Sequence, residues 1–111
     1  MKTTLQNLRI VLLLMIILIG RSEIVQAGWS PVGTAGFSPA AVETPQIAID
    51  TANGIPYIAF IDADNYERLT VMKYNGLLWD TVGSRGISTG SASAISFIID
   101  RNGTPYIGYL D

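Results

Sequence analysis

The sequence predicts an all-β chain, and three observations predict it: a stretch of about fifty residues that recurs, strand-like runs rich in Ile, Val, Tyr and Phe, and Asn-Gly dipeptides between those runs. Trp29-Ser-Pro-Val-Gly33 returns fifty residues on as Trp79-Asp-Thr-Val-Gly83. Gly54-Ile-Pro-Tyr-Ile-Ala-Phe-Ile-Asp62 returns forty-nine on as Gly103-Thr-Pro-Tyr-Ile-Gly-Tyr-Leu-Asp111, so one residue is lost in the turn after Asp50 and Asp100. Between these anchors Gly36-Phe-Ser38 aligns with Gly86-Ile-Ser88. Such spacing makes the chain a tandem array.

The first element, residues 1–27, reads as a signal peptide rather than as part of the fold. Lys2 and Arg9 give a positive start, Ile10 to Ile19 is an unbroken apolar run, and Val25-Gln26-Ala27 places small residues where signal peptidase cleaves, before Gly28. A membrane-spanning helix needs about twenty apolar residues, and Gly20-Arg21-Ser22-Glu23 ends the run sooner. The expected location is secreted, periplasmic or cell-surface, in a bacterium, with no membrane association beyond the export signal.

Behind Ala27 the chain carries four cationic side chains (Arg68, Lys73, Arg85, Arg101) against eight anionic ones (Glu43, Asp50, Asp62, Asp64, Glu67, Asp80, Asp100, Asp111). An acidic surface with no basic stripe repels phosphate backbones, which argues against a nucleic-acid partner. Cysteine and histidine are absent throughout. Disulfides, zinc sites of the usual ligand types, thiol nucleophiles and imidazole bases are therefore excluded for this stretch.

Within one unit the sequence predicts four strands: Gln46 to Asp50, Ile55 to Asp62, Leu69 to Asn75 and Leu78 to Gly83. Asn53-Gly54, Asn75-Gly76 and Asn102-Gly103 are hairpin signals because both residues tolerate positive φ, so consecutive strands should pair antiparallel. The second strand is apolar at nearly every position and must be covered on both faces. The third mixes Thr70 and Lys73 with apolar residues, as expected nearer solvent. Pro56 and Pro105 stand at strand starts, where a missing amide costs the ladder little.

A four-stranded antiparallel unit with doubly covered inner strands and a more polar outer one is the blade of a β-propeller, in which each sheet packs face to face on the next. The region 28–111 then reads as a β-propeller fragment: a closing strand at 28–33, a full blade at 45–83, and the start of a second at 93–111. At least three repeats are usually needed to bury such strands. The expectation is a truncated piece of a longer chain of roughly six or seven units, whose remaining blades would be its partners, with a ring of identical chains as the weaker alternative.

The recurring Trp-x-x-Val-Gly and Asp-x-x-Gly-x-Pro-Tyr-Ile-Ala motifs resemble the repeat of exported bacterial propellers loosely described as kelch-like or galactose-oxidase-like. The resemblance spans residues 28–111 and is specific for architecture but not for activity. It lacks the Gly-Gly doublet of true kelch repeats. Trp79-Asp80 has no Gly-His partner as WD40 repeats do, and Asp50 and Asp100 are followed five residues on by Ile55 and Pro105 rather than by the Trp of an Asp box.

Functional candidates concentrate in Asp62-Ala-Asp64-Asn65-Tyr66-Glu67, the loop after the second strand, which should open on the same face as the inter-blade loop Ser84 to Ser91 and its Arg85. Hard oxygen ligands could hold Ca²⁺, and Asp62 and Asp64 resemble the first and third positions of a calcium loop, but the later Gly and bidentate Glu are missing. A solvated polar turn is the simpler reading. Asp50 and Asp100 are expected to cap turns. Trp29 and Trp79 are expected to pack in an outer layer. No catalytic constellation is present, so the expected function is a noncatalytic module that binds a glycan or a protein through its loops. The alternatives are an exported glycan-active hydrolase or lyase whose catalytic residues lie in other blades, and a purely architectural module.

Overall fold

The computed structural model describes residues 2–19 and 27–111 of the 111-residue chain. They divide into two compact units, Met1–Ser30 and Pro31–Asp111. The first holds helix α1 (Lys2–Ile19), and no helix among the described residues is long and apolar enough to cross a membrane. The cleavage site expected at Val25-Gln26-Ala27 falls largely outside the described residues.

The second unit is built from strands alone, apart from one 3-10 turn. Strands β1 (Val42–Asp50), β2 (Ile55–Asp62), β3 (Arg68–Tyr74) and β4 (Trp79–Thr81) form an antiparallel sheet in chain order, and β5 (Ser93–Ile99) pairs antiparallel with β6 (Pro105–Leu110) in a second sheet. The registers are set by Ile47 opposite Ile58, Ala59 opposite Val71, and Phe97 opposite Ile107. The turns hold these registers through side chains. Asp50 Oδ1 accepts from the Ala52 amide at 3.0 Å, Asp100 Oδ1 accepts from the amides of Asn102 and Thr104 at 2.9 Å each, and Asn75 Oδ1 accepts from those of Leu77 and Leu78 at 2.8 Å. A short polar side chain thus satisfies amides that the ladder cannot reach.

The two sheets pack face to face. Tyr57, Ala59, Leu69 and Val71 of the first meet Phe97 of the second and Ala92 just before it, with Ala48, Ile95, Ile99 and Ile107 packed around them. Each fully buried large apolar side chain contributes about 1.5–3 kcal/mol. On the far face of the first sheet Phe60 and Met72 are buried as well, so β2 is covered on both sides toward its C-terminal end.

Strand β3 runs one residue earlier than expected and β4 starts one later, and the strand bounds depart further at three places. First, β1 starts at Val42 rather than near Gln46, because a bulge between Glu43 and Gln46 carries the pairing further; β5 has the same bulge between Ser93 and Ser96. Thr44 and Ala94, fifty residues apart, take φ of 45° and 51° at these bulges. The extra residue that a bulge inserts leaves no mark in an apolar pattern. Second, β4 ends at Thr81, because Gly83 at φ 75° turns the chain away. Third, residues 28–33, expected as a closing strand, carry no strand and pair with neither sheet. Val32 and Gly33 lie instead against Trp79, whose Nε1 donates to the Val32 carbonyl at 2.8 Å.

Candidate functional site

The link between the two sheets returns to the end of the first sheet where β2 gives way to β3. Backbone and side chains alternate in fixing it there. Gly86 N donates to Thr70 Oγ1 at 3.0 Å, Ile87 N to the Leu69 carbonyl at 2.7 Å, and Ala92 N to the Glu67 carbonyl at 2.8 Å. In the other direction Leu69 N donates to Ser88 Oγ at 3.0 Å, and Ser88 Oγ donates to the Gly90 carbonyl at 2.8 Å. Gly86 sits at φ 74° so close to the first sheet that a Cβ there would strike Asn65 Nδ2 and Arg68. A glycine is the residue that this approach admits.

Asp62 and Arg85 are brought together at the centre of this joint. Arg85 Nη2 donates to Asp62 Oδ1 at 2.8 Å while its Nε donates to Oδ2, a two-pronged pair in which the carboxylate is buried and the guanidinium stays 41% exposed. The Arg85 hydrogen bonds hold the Asp62 carboxyl below the usual carboxylate range, against burial, which pushes it up. Asp62 is therefore an ionised anchor for the link. Its geometry is that of a structural bidentate pair.

The remaining loop residues divide by exposure. Ala63–Asn65 form the 3-10 turn, and Tyr66 and Glu67 follow at φ 57° and 55°, two successive left-handed residues that reverse the chain into β3. Asp64, Tyr66 and Glu67 project into solvent, Tyr66 at 80% exposure, while Asn65 is half-buried against the link. The Arg68 guanidinium carbon lies 5.7 Å from the centre of the Tyr66 ring, a cation-π contact that supports the ring from one side. Among the described residues no three carboxylates gather as a metal ion requires, and the Asp62 oxygens face Arg85.

Of the residues singled out in the sequence, the structure joins Asp62 to Arg85 and leaves Asp64, Tyr66 and Glu67 as an exposed acidic and aromatic rim. Asp50 and Asp100 are engaged in their turns; the Asn53 side chain donates to Asp50 Oδ2 at 2.8 Å and draws that carboxyl below its ordinary value. Trp79 stacks on Phe37 with ring centroids 4.5 Å apart and also meets Tyr74, whereas Trp29 is exposed. Thr70, expected nearer solvent, is buried because its hydroxyl accepts from the link at Gly86 N, and Ser88 and Thr89 of the link itself bond back to Leu69 N and to Asp111. The recurrence of Gly-x-Ser at 36–38 and 86–88 was the available signal. At the C-terminal end of β6, Asp111 Oδ1 accepts from the Gly90 amide at 2.9 Å and Oδ2 from the Thr89 hydroxyl, so the second sheet's aspartate also holds the link.

No protein-family model matches this chain, and no curated protein and no solved structure matches it.

Proposed function

We propose that residues 28–111 are part of an exported, noncatalytic β-propeller repeat array that binds a glycan through the rim formed by Asp64, Tyr66 and Glu67. The observation that carries this reading is the division of labour in the loop. The buried carboxylate of this loop, Asp62, is neutralised by Arg85, while the exposed acids and the tyrosine ring are left to solvent on a backbone fixed by two left-handed residues. Carboxylate oxygens that accept hydrogen bonds from hydroxyls, beside an aromatic face that stacks on a sugar's C–H surface, are the chemistry that glycans select.

The same division weighs against a glycoside hydrolase centred here. That chemistry asks for a carboxylic acid with a raised pKa facing a second carboxylate across the scissile bond. Asp62 is shifted the other way. A protein ligand in place of a glycan would use the same rim.

A glycan-array screen of the exported protein tests the reading. Binding to a defined subset of glycans should be lost in Tyr66→Ala and weakened at least several-fold in an Asp64→Asn, Glu67→Gln variant, with folding retained in both. A folded protein that binds no glycan above background, or whose binding is untouched by Tyr66→Ala, overturns it.

A further inference from the structure

Arg68 opens β3 directly opposite Asp62 in the β2–β3 ladder, where an acid and a base would ordinarily pair across the strands. That pairing is taken. Both Asp62 oxygens accept from Arg85, and this contact is the one ion pair among the described residues, so Arg68 has no carboxylate within salt-bridge distance there. Its Nε is enclosed and meets no hydrogen-bond acceptor. The side chain is nonetheless held in place: its stem runs so close to Gly86 of the link that a Cβ on that glycine would lie 3.2 Å from both Cβ and Cδ of Arg68, and the guanidinium carbon stands 5.7 Å from the centre of the exposed Tyr66 ring. A half-buried cation without a counter-ion costs free energy, and the same loss of surrounding water strengthens its attraction for an anion that arrives.

We infer that Arg68 selects the ligand of the rim: the glycan bound beside Tyr66 is an acidic one, whose sugar carries an ionised carboxylate or sulfate ester that accepts from the Arg68 guanidinium. The inference rests on the rim being a glycan site and adds the ligand's charge to it. A planar fork of N–H donors fits the paired oxygens of an acid group better than a lone hydroxyl. The rest of the rim suits the same sugar, with its ring on Tyr66 and its hydroxyls donating to Asp64 and Glu67. Those two acids also bound the choice. They repel any acid group that does not reach Arg68, so the site takes a sugar with a single acid group rather than a densely charged polyanion, in keeping with the excess of acidic over basic residues behind Ala27.

The test is a binding screen of the exported protein on oligosaccharides of galacturonic, glucuronic and mannuronic acid and on sialylated and sulfated oligosaccharides, each beside the same compound with its carboxyls reduced to alcohols or its sulfates removed. At least one acidic compound should bind roughly tenfold or more tighter than its neutral counterpart, and the carboxylated and sulfated arms tell which acid group is read. Arg68→Gln, with an unchanged circular-dichroism spectrum, should bind both members of that pair as the wild type binds the neutral one. Arg68→Lys keeps the charge and loses the fork; its preference should fall between the two, and it decides the matter should the glutamine variant not fold. A wild type that binds the neutral members equally well or better overturns the inference and leaves the glycan site standing. So does an Arg68 variant that weakens both members alike, as a residue that only steadies the fold would. A folded protein that binds neither member of any pair overturns it as well, and takes the glycan site with it when Tyr66→Ala changes nothing on the wider array.

Discussion

The hairpins β1–β2 and β5–β6 share a sequence pattern, a bulge with a left-handed residue, and an aspartate-capped turn, yet they bury opposite halves of themselves. Phe97 is enclosed where Ile47 is open, and Tyr57 is enclosed where Tyr106 is open. Alternation along a strand decides which residues share a face, but the neighbouring sheet decides which face leaves water. Burial here belongs to the interface between the two sheets, and corresponding residues should carry very different energies.

The widest gap is expected between Phe97→Ala and Ile47→Ala. The first should destabilise by about 3–5 kcal/mol through the cavity it opens; the second, measured by urea unfolding, should stay within about 0.5 kcal/mol. Equal losses would mean that the two sheets do not lean on each other as described.

The Asp62–Arg85 pair comes next and separates the two ends of the link. Arg85→Ala strands an enclosed anion, whereas Asp62→Asn leaves a guanidinium that water can reach, so the arginine variant should melt lower than the asparagine variant, and the double variant should recover part of the difference. Acid titration gives the same pair a sign. Because the folded-state pKa of Asp62 is depressed, its contribution is present above the unfolded value of about 4 and is lost as pH falls through the folded one. Unfolding of Asp62→Asn should therefore depend less steeply on pH below about 4 than that of the wild type, with Asp50 and Asp111, shifted in the same direction, supplying the remaining slope.

Gly54 and Gly103 sharpen the comparison at the turns. Both hold positive φ, so alanine at either site costs about 1 kcal/mol of backbone strain. Gly103→Ala must in addition displace the Asp50 carboxylate and should lose clearly more than Gly54→Ala in thermal melts. The smallest effect is expected at the bulges, and it is favourable. Thr44→Gly relieves a β-branched residue held at φ 45° and should raise stability by up to about 1 kcal/mol, the relief of strain partly offset by glycine's greater freedom when unfolded.

How much of this was legible follows from the range of each interaction. Strand β2 appears with the bounds that its apolar run predicts, and the turn aspartates act as their place before Asn-Gly implies, because both signals are local. The bulges at Thr44 and Ala94 were hidden, since one inserted residue looks like any other in a polar stretch. Strand β4 shrank because Gly83 was counted as a strand residue rather than as the corner that ends it. At the site, the sequence drew attention to the Asp62–Glu67 cluster, but the partner that makes Asp62 structural lies twenty-three residues away, and no local pattern pairs them. Exposure of Tyr66 was likewise decided by the left-handed pair at Tyr66 and Glu67, a conformation that neither residue type favours.

The packing of Gly103 on Asp50 means that a corner in one unit is finished by the backbone of its successor. Position 103 therefore demands glycine twice, once for the bend in which it sits and once for the carboxylate pressed against it.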